Sequence, residues 1–116
     1  MSQQDCLFCR IVRGEIPANF VHRGDGVSAF RDINPQAKVH IVIIPDQHLD
    51  GALDVTVAHE QIAGRLFRVA AEVARAEGIA ESGYRLIVNQ GRDGGQSVGH
   101  LHMHLLGGQP LRVPLV

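Results

Sequence analysis

In the stretch GHLHMHLLGG, residues 99–108, His100, His102 and His104 take every second position, with Leu101, Met103 and Leu105 between them. On a β-strand that spacing puts the three imidazoles on one face and the apolar side chains on the other. Neutral imidazole predominates at pH 7, and a hydrogen bond on one ring nitrogen decides which nitrogen keeps the lone pair. Directly before the stretch lies GRDGGQSVG. Its glycines let backbone N–H groups converge on an anion, and Gln96 and Ser97 add side-chain donors. It has neither the lysine nor the spacing of a Walker A loop. Loop and imidazoles together describe a phosphate held beside a nitrogen nucleophile. Attack on phosphorus would give a phosphoramidate, a labile bond that water cleaves in a second step. Flanking imidazoles can hold the phosphoryl oxygens and protonate the leaving group.

A metal ion competes for the same histidines, because His-x-His on a strand can present two imidazoles to one zinc. At about 3.3 Å per residue, His100 and His104 stand ~13 Å apart, so at least one of the three rings has a separate task. The chain has two cysteines, Cys6 and Cys9, in the stretch CLFC. A thioredoxin-like redox pair needs a βαβ setting, and none surrounds Cys6. A zinc site needs two ligands more, and His22, His48, His59 and His100 are the candidates; otherwise the two are free thiols.

The elements that must position these residues follow from the apolar pattern. CLFCRIVRG carries Leu7, Phe8, Ile11 and Val12 on a helical stripe and stops at Gly14, predicting a short helix. NFVHRGDGVSAFRD reads as two strands around a Gly-Asp-Gly turn, and KVHIVIIP as a third strand closed by Pro45. From Thr56 to Glu77 the period becomes helical, with Gly78 suited to the C-terminal cap. Its apolar arc includes Ile62, Ala63, Leu66, Phe67, Val69, Ala70, Val73 and Ala74. One small sheet cannot cover so wide an arc, which points to a second copy related by two-fold symmetry. YRLIVNQ and HLHMHLL are the last two strands, and GGQPLRVPLV an extended arm. The order predicts an α+β domain, a mostly antiparallel five-stranded sheet with its helices on one face.

Composition bounds the rest. A chain of 116 residues, 45% hydrophobic and 20% charged, can bury its own core as one domain. A net charge of −1 offers no basic surface for nucleic acid. No apolar run approaches the ~20 residues that cross a bilayer, so no membrane partner is expected. The polar start MSQQDCLFCR lacks the apolar region of a signal peptide, which makes the cytoplasm the expected compartment.

HLHMHLL resembles the signature of the histidine triad (HIT) family. CLFCRIVRGEIP, RDINPQAKVHIVIIP and YRLIVNQGRDGGQSVGHLHMHLLGG resemble its Hint branch, the nucleoside phosphoramidase-like proteins, in the same order from Cys6 to Gly108. The resemblance implies a single HIT domain over 1–116, with a flexible N-terminus at 1–5 and an extended arm at 107–116. It further implies a homodimer whose sheets join into one, with the long helix at the interface. It implies hydrolysis or transfer at adenosine or guanosine 5′-phosphoramidates through a nucleotidyl-histidine. His102 would be the nucleophile, and His104 would bind phosphate and assist proton transfer. His40 would back the triad. Asp32 would hold the ribose hydroxyls and Ile33 the base, while Asn89, Gly95, Gln96 and Ser97 would contact the phosphate and leaving group. On spacing alone Asp32 and Asn89 read as turn residues and His40 as a core histidine. Cysteine-pair members of the superfamily imply a structural zinc on Cys6, Cys9, His48 and His100, with no magnesium or organic cofactor required. Hint proteins often carry an aromatic residue near the C-terminus, and this chain has no tryptophan, so leaving-group preference stays open. Two other readings remain: a nucleotide-binding regulator with vestigial turnover, and a dinucleoside polyphosphate hydrolase of the Fhit type.

Overall fold

The computed structural model describes residues 5–112. The expected flexible segment 1–5 and arm 107–116 therefore lie partly outside the described residues, at 1–4 and 113–116. The elements run α1 (Leu7–Val12), β1 (Phe20–Gly24), β2 (Val27–Arg31), β3 (Val39–Pro45), α2 (Glu60–Ala76), β4 (Tyr84–Ile87) and β5 (Met103–Gly107). Two 3-10 turns, Ala52–Asp54 and Val57–His59, lead into α2. The long helix thus starts later than its apolar period, because Thr56 caps the second turn by accepting from the Ala58 N–H. Its end is where Gly78 predicts it, with the Gly78 and Ile79 N–H groups closing on the Arg75 and Ala74 carbonyls.

The five strands form one sheet in the order β1-β2-β3-β5-β4. Every pairing is antiparallel. β1 and β2 meet through the two-residue turn Asp25-Gly26, both at positive φ, which is the geometry whose twist suits a tight hairpin. The crossover over α2 delivers β4 to the sheet edge, and β5 returns to fill the place between β3 and β4.

The helices lie on opposite faces, not on one. Ile41 and Ile43 of β3 pack with Val27, Ala29, Met103 and Leu105 under the Leu66, Val69, Ala70, Val73 and Ala74 face of α2. Val42 and Ile44 face the other way, where they join Phe30 and the Phe8, Cys9 and Ile11 face of α1. A strand buried on both faces reads as a continuous apolar run rather than an alternating one, and IVIIP, which follows His40, is such a run.

Candidate active site and metal cage

β5 is shorter than HLHMHLL. It begins at Met103, and of the three histidines only His104 lies within it. Ladder pairing with β3 stops at the Ile43–Met103 pair, two residues short of Pro45, which has no N–H to give. The preceding segment is held by other bonds: the Leu101 N–H donates to the Leu49 carbonyl, and the His100 ring donates through Nε2 to the Pro45 carbonyl. Leu101, Met103 and Leu105 still enter the α2 core as the alternation predicts.

His100 leaves the other two for a cage. Because its Nε2 carries the proton given to Pro45, its Nδ1 lone pair faces Cys6 Sγ at 3.3 Å and Cys9 Sγ at 3.5 Å. His48 is arranged in the same way: Nε2 donates to Asp50 Oδ1 at 2.8 Å, and Nδ1 stands 3.1 Å from Cys9 Sγ. The four ligand atoms lie within 4.8 Å of one another. A tetrahedral zinc with Zn–S about 2.3 Å and Zn–N about 2.05 Å has S···N edges of about 3.5 Å, close to the 3.1, 3.3 and 3.5 Å found here. Both rings have the second nitrogen committed to an acceptor, as metal-bound histidines do. Burial and the neighbouring Cys6 push the Cys9 thiol up to about 11, which a bound cation would offset by stabilising the thiolate. The residues fit zinc. Of the four candidate histidines, His48 and His100 join the cysteines; His22 and His59 sit elsewhere, with His59 bonded to Thr56.

His102 and His104 line a different space, a cleft of about 230 Å³ on the α1 face of the sheet. Its apolar wall is Phe8, Ile11, Ile16, Pro17, Phe30 and Val42, and its polar end is Asp32, Ser97, His102 and His104. Ile33 stands fully exposed at the mouth. His102 Nδ1 lies 2.7 Å from the His100 carbonyl, which can only accept, so Nδ1 carries the proton and Nε2 the lone pair. The Phe8 ring meets His102 edge to face, 5.1 Å between centroids.

His104 is set by a relay. The Gln36 N–H donates to His40 Nδ1 at 3.0 Å, so the His40 proton sits on Nε2 and is donated to His104 Nδ1 at 2.9 Å. That leaves Nε2–H as the remaining donor of His104. Burial and the rings of His102 and His40 push His104 down to about 4, and burial holds His40 below its usual value against the pull of Asp32. Both rings are therefore neutral at pH 7, as the relay requires. Asp32 lies 3.5 Å from His40 Nε2, and its other oxygen accepts the Asn34 N–H in the turn that its spacing suggested.

The glycine-rich loop meets the cleft at its C-terminal end. Ser97 reaches the cleft, while Asn89, Gly95 and Gln96 lie outside its wall. Gly94 is demanded by close approach, since a Cβ there would stand 2.4 Å from the Gln90 carbonyl oxygen. Sequence reasoning missed Phe8 and the apolar wall; Phe8 was legible only as one member of a helical stripe. It also missed Asp50, an acidic residue two positions after His48.

Residues 13–111 match a family model described as the HIT domain. The chain is 55% identical over 108 residues, 93% of its own length and 91% of the relative's, to a purine nucleoside phosphoramidase of Escherichia coli strain K12. It is 46% identical over 110 residues, 93% and 85% of the two lengths, to a 14 kDa zinc-binding protein of Zea mays. A HIT family hydrolase from Legionella pneumophila superposes with a TM-score of 0.92 at 44% identity, covering 95% of this chain and 98% of that one. One from Clostridium thermocellum gives 0.95 at 40%, covering 99% and 100%.

Proposed function

The chain belongs to the HIT family and is a hydrolase of that family; on that premise we propose that it cleaves purine nucleoside 5′-phosphoramidates through a nucleotidyl-His102 intermediate. The observation that carries this reading is the tautomer of His102, whose Nδ1–H is spoken for by the His100 carbonyl. Nε2 then attacks phosphorus. The new N–P bond forms as the bond to the leaving amine breaks, and the amine departs with a proton drawn from solvent, which the attacking water of the second step gives back. The positive charge that develops on the ring is met by the same carbonyl at Nδ1. Water next attacks phosphorus, and the His102–P bond breaks to give the nucleoside monophosphate.

In this reading His104 donates Nε2–H to a phosphoryl oxygen and helps move the proton to the amine, with His40 fixing its orientation. Ser97 meets the phosphate, Asp32 the ribose hydroxyls, and the Phe8, Phe30, Val42 and Ile33 side chains the purine. Asn89 and Gly95 stay with the loop that shapes the phosphate end. No step needs magnesium or an organic cofactor.

A zinc bound by Cys6, Cys9, His48 and His100 supplies a structural clip between α1 and the segments that follow β3 and precede β5. The single HIT domain acts as a homodimer, its sheets joined at the β4 edge and α2 at the interface; the exposure of Phe67 and Tyr84 supports that assembly. Among the described residues no helix is long and apolar enough to cross a membrane. Thiols kept reduced favour the cytoplasm as the compartment, and nucleic acid and membranes are not its partners.

Steady-state kinetics on an adenosine phosphoramidate and on diadenosine triphosphate side by side tests the reading. The phosphoramidate should have the higher kcat/KM. The opposite order would move the protein to the Fhit type, and binding of adenosine monophosphate without turnover of either substrate to the regulator.

A further inference from the structure

Gln96 adjoins Ser97, yet its side chain turns away from the cleft. Nε2 donates to the Asp50 carbonyl at 2.7 Å and to the Val98 carbonyl at 3.0 Å, and Oε1 accepts the Gly91 N–H at 2.8 Å. Its backbone N–H goes to the Gly91 carbonyl. Both amide protons are thus spent inside the chain. What remains is a lone pair on Oε1, which can only repel a phosphate oxygen. We propose that Gln96 is a positioning residue, a latch that fixes the loop bearing Ser97 to Asp50 and so ties the phosphate end of the cleft to the metal cage.

Asp50 is the shared anchor. Its carbonyl receives Gln96, and its carboxylate receives Nε2–H of His48 at 2.8 Å. A second amide reinforces the joint, because Gln90 Oε1 accepts the Leu53 N–H at 3.0 Å. The two segments are too close for a side chain between them: a Cβ on Gly51 would stand 2.4 Å from Gln90 Oε1 and 3.3 Å from Gln96 Nε2. Loop and cage are therefore one packed unit. Movement of His48 out of the cage pulls on the residue that holds the loop, and loss of the latch frees Asp50 to release His48. His102 and His104 are held by other partners, the His100 carbonyl and His40, so the latch acts on binding more than on chemistry.

The proposal rests on Ser97 as a phosphate contact, and the test separates the two. Gln96→Ala, Ser97→Ala and the double variant are compared, with Gln96→Glu alongside. The glutamate keeps the acceptor for Gly91 but sets an oxygen against two carbonyls, and it stands in if the alanine variant does not fold. Gln96→Ala should raise KM about tenfold with kcat within about threefold, and the double variant should be no worse than the poorer single, as expected of groups acting as a unit. With zinc alone as probe, Gln96→Ala and Gln96→Glu should release the ion to a chelator about threefold faster than wild type, and Ser97→Ala at the wild-type rate. Faster release in a chain that turns over no phosphoramidate sustains the latch and removes the functional reading. Losses that multiply in the double variant make Gln96 an independent substrate contact, and unchanged zinc release cuts the tie to the cage. Either result overturns the proposal.

Discussion

The carbonyl oxygen of His100 lies 2.7 Å from Nδ1 of His102, while the ring of that same His100 turns its Nδ1 toward Cys6 and Cys9. One residue thus serves the two halves of the site, its main chain choosing the tautomer of the neighbouring ring and its side chain closing the cage. The bend at His100, before β5 begins, explains how: it sends the ring into the cage while the carbonyl stays within reach of the His102 ring. The stretch HLHMH is a division of labour rather than three copies of one part.

His102→Ala should lower kcat by at least about a thousandfold, the scale for loss of a nucleophile. The ring is buried against Phe8, so the variant should lose about 1–2 kcal/mol of stability while remaining folded and still binding adenosine monophosphate. Acid quenching of wild type during turnover should reveal a mass increase of one nucleotidyl group. Near-normal turnover by the variant would remove His102 from the chemistry.

Cys9→Ser should reproduce the effect of a chelator, because opening one corner of a four-ligand cage releases the ion. Protein purified without added metal should carry close to one equivalent of zinc, and its melting temperature should fall by about 10 °C or more on exhaustive chelation. Stability should fall first and activity second, since α1 carries Phe8 into the cleft wall. Elemental analysis finding under about a tenth of an equivalent, with no change in melting, would make Cys6 and Cys9 ordinary thiols.

The aligned histidines and the grouping of Cys6, Cys9, His48 and His100 were legible in the sequence because few chemistries need those residue types at that spacing. Leu101, Met103 and Leu105 were legible as core for the same reason of period. The placement of α1 was less so: the stripe Leu7, Phe8, Ile11, Val12 shows a helix but not which face of the sheet it covers. The apolar run of β3 at residues 41–45 held that information, since a strand with one wet face would alternate. Gln96 reads from the sequence as a phosphate contact, because a polar side chain beside a glycine-rich turn looks the same whether it binds an anion or ties the loop. Only the partners of its amide decide.

Stability should depend on pH through His104. Its folded pKa of about 4 lies below the ordinary value of 6.5, so between these the unfolded chain binds more protons and stability falls as pH falls. The contribution is complete above about pH 6.5 and, for a half-buried ring, about 1 kcal/mol should be gone by pH 5. His104→Gln cannot titrate. The difference in unfolding free energy between wild type and this variant should therefore shrink as pH drops from 7 to 5. Using the difference cancels any metal loss common to both proteins. A difference that stays flat across that range would mean His104 titrates alike in the folded and unfolded chains.

Phe67 reports on assembly. It lies on α2 beside the buried Leu66 yet remains 58% exposed, and Ala63 and Ala71, one turn to either side, are only half-buried. The sheet beneath α2 is already filled by Leu66, Val69, Ala70, Val73 and Ala74, so this second stripe has no partner within the described residues. β4, four residues long, ends the sheet on one side with Tyr84 part-exposed. A two-fold axis near these elements would cover the helix stripe and pair the open edge at once. Light scattering at micromolar concentration should therefore give about twice the chain mass of 12.6 kDa. Phe67→Glu exchanges a ring that the dimer would bury for a charge facing its own copy, which should weaken the dimer about a hundredfold or more without unfolding the chain. A wild-type mass of one chain, or a Phe67→Glu variant that stays dimeric at nanomolar concentration, would place the interface elsewhere.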